Sequence, residues 1–123
     1  HLMGPADLKV DGLLMPSAAT VELLSQIESA GPFGAGAAAP RYVFSDVAIS
    51  FAKRVGETHL KLRFGDALGN SLDAIAFGAF DSELGAALEN HGGRRVHLAG
   101  KLDLNVWNGR QSVQLRLDDA AWA

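Results

Sequence analysis

The chain has 123 residues, 48% of them hydrophobic, with no cysteine and a formal net charge of −3. A chain of this length can bury one hydrophobic core, which predicts one domain with an appendage. The lack of cysteine excludes disulfides and thiolate metal sites, and no apolar run has the length of a membrane span, so we expect a soluble, cytoplasmic protein without a membrane partner.

The charge is unevenly distributed along the chain. Residues 41–64 carry five Lys or Arg against two Asp or Glu, a net +3, and residues 94–116 carry five against one, a net +4. Residues 65–93 contain five acidic residues and no Lys or Arg. Because electrostatic attraction depends on local charge, the negative total does not exclude a polyanionic partner for the two basic segments.

Residues 1–40 are predicted to form a helix and a connector. The first three residues, HLM, are typical of a cloning remnant. Apolar residues at helical spacing predict a helix from Ser17, its N-cap, to Ala30. The Gly-, Ala- and Pro-rich segment GPFGAGAAAP then leads into the next unit. We therefore predict one folded domain over residues 41–123, preceded by this helix and connector.

From Arg41 the hydrophobic period changes to two, which predicts β-strands. One side of the first strand would carry Val43, Val47, Ile49 and Phe51. One side of the second would carry Leu60, Leu62 and Phe64, and the other side His59, Lys61 and Arg63. A third strand is predicted over about Ser71 to Ala79, and a short helix from about Asp81 to the His91-Gly92-Gly93 segment.

The segment LNVWNGRQSVQL, residues 104–115, predicts a hairpin that supplies the last two strands. Asn108-Gly109 favours a type I′ turn, which needs positive φ at both positions. A two-residue turn places Trp107 opposite Arg110 and thereby sets the register of the hairpin. Its polar face would carry the pairs Trp107/Arg110, Asn105/Ser112, Asp103/Gln114 and Lys101/Arg116. Stacking of Arg110 on Trp107, which would shield the indole, is the alternative to a functional role for this exposed aromatic.

The order of elements, three strands, a helix and two strands, is that of a small Greek-key barrel, the OB-fold. The fold class predicted is mainly β: a five-stranded OB-fold barrel with a helix between strands 3 and 4, preceded by the N-terminal helix and connector. In this fold the strand 2–3 face and the loops joining strands 1–2 and 4–5 receive oligonucleotides or oligosaccharides. Lys53 and Arg54 would lie at the strand 1–2 turn and Trp107 in the strand 4–5 loop.

Proteins that bind single-stranded nucleic acid combine a positive groove with aromatic side chains on which bases stack. Trp107 is the predicted stacking residue, whereas Phe77 and Phe80 are expected in the core, because large apolar residues of a small barrel are usually buried. The predicted nucleic-acid-binding residues are Lys53, Arg54, His59, Lys61, Arg63, Lys101, Asn105, Trp107, Asn108, Arg110, Gln114 and Arg116. An ordinary solvated face is the alternative for Lys61 and Arg63.

No constellation of catalytic residues is visible in the sequence. There is no cysteine nucleophile, and the four histidines lack the spacing of metal ligands. Metal-dependent phosphodiester hydrolysis needs several carboxylates or histidines that converge on one or two ions. We therefore expect no catalytic residue and no bound metal or cofactor in this chain.

Four segments of the chain carry a recognisable pattern, in the order GPFGAGAAAP, VGETHLKLRF, LDAIAFG and LDLNVWNGRQSVQLRLDD. Together they resemble the C-terminal OB domain of the RecJ family of single-stranded-DNA-specific exonucleases. GPFGAGAAAP is similar to the family's P-F-G-x-G-N-x-x-P connector, with Ala37 where the family usually has Asn, and VGETHLKLRF to its V/G-x-x-H-L-K-L segment. LDAIAFG resembles its D-A-I-A-F strand, and LDLNVWNGRQSVQLRLDD its N-x-W-x-G…V-Q-L-x-V-x-D ending. The match covers most of residues 16–119, and the patterned positions are His59, Lys61, Asn105, Trp107, Gly109 and Gln114.

The resemblance implies that the chain is the C-terminal part of a longer 5′→3′ exonuclease of DNA repair and recombination. The Mn²⁺ or Mg²⁺ site, with its Asp-His-His motif, would lie in N-terminal nuclease domains outside this chain, and the OB domain would hold single-stranded DNA near their cleft. Two functions stay open. One is a noncatalytic single-stranded-DNA-binding module, and the other is a protein-interaction domain whose basic face binds an acidic peptide such as the tail of a single-stranded-DNA-binding protein.

Overall fold

The computed structural model describes residues 11–29 and 40–123. In chain order the elements are strand β1 (Gly12–Leu14), helix α1 (Val21–Ser29), strands β2 (Arg41–Val55), β3 (His59–Gly65) and β4 (Ser71–Ala76), helix α2 (Glu83–Glu89), and strands β5 (Arg95–Trp107) and β6 (Arg110–Trp122). Single turns of 3-10 helix lie at Pro16–Ala18 and Ala79–Asp81. Within the described ranges, no helix has the length and apolar character needed to cross a membrane.

The five long strands β2 to β6 form a closed barrel. β2 pairs with β3, β3 with β4 and β6 with β5 in antiparallel fashion, and β4 pairs with β6 in parallel. The first half of β2 then pairs with β5 and closes the barrel. With α2 between the third and fourth barrel strands, this arrangement confirms the predicted OB-fold. The short strand β1, which pairs in parallel with the start of β2, is an addition that the sequence did not predict.

Strand β2 is bent by two bulges, which change the side to which its residues point. The first lies between Phe44 and Val47, where Asp46 has a φ of 54°, and the second between Ile49 and Phe51. A bulge adds one residue to a strand and so reverses the alternation beyond it. Phe44 is consequently fully buried and Phe51 is 38% exposed. The prediction that Phe51 lies on the core side is therefore wrong.

Helix α1 begins later than predicted. The Thr20 hydroxyl oxygen accepts a hydrogen bond from the Leu23 backbone N–H at 3.1 Å, so Thr20 rather than Ser17 is the N-cap. Ser17 lies instead in the preceding 3-10 turn. The predicted end of the helix at Ala30, the connector, and the first three residues lie outside the described residues.

The segment between β4 and α2 differs from the prediction at both ends. Strand β4 ends at Ala76, because Gly78, with a φ of 68°, turns the chain into a 3-10 turn. The Ser82 hydroxyl then caps α2 by accepting a hydrogen bond from the Leu84 N–H at 3.3 Å. The helix is therefore shorter than predicted and begins at Glu83.

The hydrophobic core fills the barrel and continues to the first helix. Leu60, Leu62 and Phe64, which share one face of β3 as predicted, are fully buried. Ala19 and Leu24 belong to the same buried cluster. The described segment before the connector therefore packs on the barrel, and the division of the chain into a helix-and-connector part and a barrel part stays a prediction.

Candidate nucleic-acid interface

Strands β5 and β6 form a hairpin that projects from the barrel. Asn108 and Gly109 have φ values of 50° and 76°, as a type I′ turn requires. Trp107 pairs with Arg110, and the register continues without interruption down to Gly100, which confirms the predicted pairing. In the described structure, the outer parts of the two strands pair only with each other. The hairpin tip is therefore presented to solvent on both faces.

One row of aligned residues on the outer face of the barrel is strongly basic. The strand registers place side by side Lys53, Lys61, Ile75, Arg116 and Lys101. Neighbouring strands lie about 4.8 Å apart, so this row of five strands is about 20 Å wide. We call its four cations, Lys53, Lys61, Arg116 and Lys101, the basic row.

The basic row contains two like-charged pairs on neighbouring strands. Lys53 faces Lys61 directly, and Arg116 faces Lys101. Like charges directly opposite each other destabilise a sheet. Within the described part of the chain the ion pairs are Arg41–Asp118, Arg63–Asp73 and Arg95–Asp46, none of which involves the basic row. An anion bound over the row would relieve this repulsion.

Arg63 lies beside the basic row but is held by the protein itself. Its Nε donates a hydrogen bond to the Asp73 carboxylate at 2.8 Å, and its guanidinium lies 5.6 Å from the centre of the Phe51 ring. The hydrogen bond to Asp73 and the negative charge of that carboxylate raise the pKa of Arg63 above its ordinary value. A phosphate that reached Arg63 would have to compete with Asp73. Arg63 is therefore less able to bind an external anion than the cations of the basic row.

Lys53 and Arg54 do not lie in the turn that the sequence predicted for them, because β2 extends to Val55. Successive residues of a strand point to opposite faces. Arg54 is accordingly paired with the buried residue Leu60, and its guanidinium lies 4.0 Å from the centre of the Phe80 ring. The structure therefore separates Arg54 from the outer face on which Lys53 lies.

Phe77 lies on the outer face with its side chain 55% exposed. Its ring meets the His59 imidazole edge to face at 5.3 Å between centroids and the Arg116 guanidinium at 5.2 Å. The prediction that Phe77 belongs to the core is wrong, because the neighbouring Ala76 is buried and the alternation of β4 turns the next side chain outward. This alternation was readable in the sequence. Phe80, in contrast, packs against the core as predicted.

His59 supports the loop that follows β4. Its Nδ1 accepts a hydrogen bond from the Gly78 backbone N–H at 2.9 Å, and the imidazole is half-buried. This nitrogen is therefore occupied within the protein. His59 lies next to the basic row but is better placed to hold Phe77 and Gly78 than to meet a ligand through this atom.

Trp107 is 73% exposed at the end of the hairpin. Among the described residues, the cation–π contacts are Arg54–Phe80, Arg63–Phe51, Arg94–Trp122 and Arg116–Phe77. Arg110 therefore pairs with Trp107 across the hairpin without covering the indole, and the shielding alternative is wrong. Asn105 and Asn108 are exposed at the same tip, whereas Gln114 is half-buried nearer the barrel.

The outer face thus has two parts. Lys53, Lys61, Lys101, Gln114 and Arg116 lie together on the barrel, and Asn105, Trp107, Asn108 and Arg110 lie on the projecting hairpin. The described residues contain no group of three or more His, Cys, Asp or Glu side chains that could hold a metal ion. The outer face therefore offers positive charge and exposed aromatic surface.

Comparison with known proteins identifies relatives of this barrel. The family model of the RecJ OB domain matches residues 10–119. The chain is 34% identical over 110 residues to the single-stranded-DNA-specific exonuclease RecJ of Escherichia coli (strain K12). This match covers 89% of this chain and 18% of that protein. It is 26% identical over 104 residues to the protein of the same name from Bacillus subtilis (strain 168), covering 83% of this chain and 13% of that protein.

A third relative, the single-stranded-DNA-specific exonuclease RecJ of Salmonella typhimurium (strain LT2), is 33% identical over 111 residues, or 89% of this chain and 18% of its own length. The chain therefore spans less than a fifth of the length of these curated relatives. The matched region contains all five strands of the barrel except the last residues of β6. On the strength of this match and of the closed barrel, the chain belongs to the RecJ OB-domain family.

Proposed function

We propose that this chain is a noncatalytic, single-stranded-DNA-binding OB module of a longer, metal-dependent 5′→3′ exonuclease that acts in cytoplasmic DNA repair and recombination. The observation that carries the proposal is the basic row, in which like charges face each other without a carboxylate partner among the described residues. Such an arrangement is favourable when a polyanion covers it. The names of the relatives support single-stranded DNA as that polyanion.

Phosphates of the strand would contact the basic row, and bases would contact exposed apolar and aromatic side chains of the same face. Both kinds of contact are independent of sequence, because every nucleotide carries a phosphate and every base has a π-face. Asn105, Asn108 and Gln114 would supply hydrogen bonds to bases or phosphates. We therefore expect weak binding with little base preference from the module alone.

In the longer protein the module would hold the strand close to the cleft of the nuclease domains. The Mn²⁺ or Mg²⁺ of the reaction would belong to those domains, which the relatives' greater length accommodates. The module would contribute binding energy and the direction of the strand, and hydrolysis would take place elsewhere.

The salt dependence of oligonucleotide binding tests this proposal. Each phosphate contact with a single strand contributes about −0.7 to the slope of log K against log salt, so three to five contacts predict a slope of roughly −2 to −3.5. The double variant Lys101→Gln/Arg116→Gln should make the slope shallower by about 1.4. Arg94→Gln removes one positive charge outside the basic row, where this exposed arginine contacts Trp122, and as the control it should leave the slope nearly unchanged. A flat salt response of the unchanged protein would contradict the proposal.

An acidic peptide titrated into the same sample tests the competing function, a protein-interaction domain. If the module binds single-stranded DNA, a labelled dT12 should be displaced by unlabelled dT12 and only weakly by the peptide. Tight binding of the peptide together with no binding of dT12 would replace the proposed function with the protein-interaction function.

A further inference from the structure

We infer that Phe77 is a nucleobase-stacking subsite, and that Phe77 and Trp107 form the two ends of one path for single-stranded DNA about 20 Å long. The inference rests on the proposed function and deepens it, because it assigns the bases of the strand to particular side chains. Phe77 is exposed, its surroundings hold it in place, and it touches the basic row.

The exposure of Phe77 is not that of a freely moving side chain. The His59 imidazole meets the ring edge to face, and the same imidazole accepts a hydrogen bond from Gly78, the residue that follows Phe77. The first contact packs directly on the ring and the second holds the imidazole in place beside it, although Phe77 is 55% exposed. A ring that is already ordered loses little conformational entropy when a base stacks on it.

Phe77 also lies beside the cations that would hold the phosphates. The Arg116 guanidinium lies over the Phe77 ring, 5.2 Å from its centre, so a base would stack on the ring surface that Arg116 leaves exposed. Arg116 in turn faces Lys101 across the strand pair. A base stacked on Phe77 would therefore have basic side chains next to its own phosphate. Stacking combined with phosphate contact at one nucleotide is the arrangement by which single-stranded nucleic acid is bound without base specificity.

The strand registers set the separation between Phe77 and Trp107. Phe77 contacts Arg116 on β6, and Trp107 faces Arg110 on the same strand. These two arginines are six residues apart, which is about 20 Å at roughly 3.3 Å per residue. A stacked single strand advances about 3.4 Å per nucleotide, so about six stacked nucleotides, or fewer in an extended strand, connect the two ends.

The first experiment measures the affinity of the chain for dT12 after substitution of Phe77. Phe77→Leu keeps an apolar side chain but removes the aromatic face, and it should weaken binding at least about fivefold. Phe77→Trp is made in a Trp107→Phe/Trp122→Phe background, so that the introduced indole is the one reporter. It keeps an aromatic face and should bind within about twofold of that background protein, with quenching of the introduced indole by dT12. Leu13→Ala is the control for loss of an exposed apolar side chain. Leu13 is 72% exposed on β1, and its neighbour on β2 is Val43 rather than a residue of the basic row.

The second experiment compares two lengths of oligonucleotide. A dT12 strand reaches both ends at once, so the effects of Phe77→Leu and Trp107→Leu on log K should add. A dT3 strand occupies one end at a time, so each single variant leaves the other end available. The double variant should therefore weaken dT3 binding by more than the product of the two single effects.

The outcomes separate the inference from the proposed function. If dT12 does not bind the unchanged protein, the proposed function fails and the inference fails with it. If dT12 binds and Lys101→Gln/Arg116→Gln weakens it, but Phe77→Leu binds normally, the proposed function stands and the inference is wrong. If Phe77→Leu lowers the unfolding temperature, the fluorescence of Phe77→Trp decides whether the inference holds. An indole at this position that is not quenched at saturating dT12 contradicts stacking.

Discussion

Trp107 is the residue at which function and stability can be separated most cleanly. We expect Trp107→Ala to weaken binding of single-stranded DNA by about 1–3 kcal/mol, the usual contribution of one base–aromatic stack. The free energy of unfolding should stay nearly constant, because the side chain is 73% exposed at the end of a projecting hairpin. Fluorescence anisotropy of a labelled oligonucleotide and urea unfolding measure the two effects.

The other tryptophan provides the control for this experiment. Trp122 is half-buried against the core and lies 4.1 Å from the Arg94 guanidinium. Trp122→Ala should therefore lower the free energy of unfolding by about 1–3 kcal/mol and leave the affinity of the folded protein unchanged. A loss of stability without a loss of affinity in Trp107→Ala would show that its indole is structural.

At the level of elements, the hairpin depends on a close approach of its two strands at Gly100. A Cβ at this position would overlap the carbonyl oxygen of Arg116 on β6. We expect Gly100→Ala to destabilise the protein by about 1–3 kcal/mol or more, because backbone rather than a flexible side chain must move. Urea unfolding measures this loss.

Gly12→Ala is the matched control for Gly100→Ala. A Cβ at Gly12 would meet the Tyr42 ring at 3.5 Å, which is an ordinary contact. Gly12→Ala should lower the free energy of unfolding by less than about 1 kcal/mol, since no backbone has to shift. Equal losses for the two variants would contradict the role given to Gly100.

The loop between β3 and β4 is closed by Asp66, whose carboxylate accepts hydrogen bonds from the N–H groups of Leu68 at 2.9 Å and Asn70 at 3.1 Å. Desolvation raises the pKa of Asp66, but the hydrogen bonds from Asn70 and Leu68 together outweigh it and hold the pKa below its ordinary value of 3.8. A carboxyl group with a lowered pKa stabilises the folded state above its ordinary pKa, and this contribution is lost as the pH falls through the folded-state value.

We therefore expect Asp66→Ala to lower the unfolding temperature at pH 7 and the difference from the unchanged protein to shrink as the pH falls below 3.8. Thermal unfolding followed by circular dichroism at several pH values measures the difference. Glu57→Ala, which removes an exposed carboxylate from the turn between β2 and β3, serves as the control. A difference that grows toward acid pH would contradict the role of the ionised Asp66.

At the scale of the whole molecule, the proposed noncatalytic role predicts the outcome of a nuclease assay. Incubated with labelled single-stranded DNA and Mn²⁺, the chain should release no nucleotides, because metal-dependent hydrolysis needs several converging ligands. A longer RecJ exonuclease provides the positive control. Nucleotide release that persists through purification and stops when a chelator is added would overturn the noncatalytic assignment.

Features of this protein that depend on neighbouring residues could be predicted from the sequence. The strand periodicity, the buried face of β3 and the hairpin register are local consequences of side-chain alternation and of the positive φ at Asn108 and Gly109. The same local information was sufficient for the fold class and for the family resemblance. The position of Trp107 at an exposed tip follows from the register alone.

Features that depend on contacts between distant residues were decided only by the tertiary structure. Whether an arginine can bind an external anion depends on its partner within the protein. Arg63 forms an ion pair with Asp73 on the adjacent strand, whereas Arg116 lies against the Phe77 ring. A bulge reversed the side of Phe51, because barrel closure bends β2 at points that hydrophobic alternation does not reveal. The sequence alone therefore determined the barrel and the hairpin that carry the candidate site, while the contacts between strands decided which of its cations are held by a carboxylate of the protein.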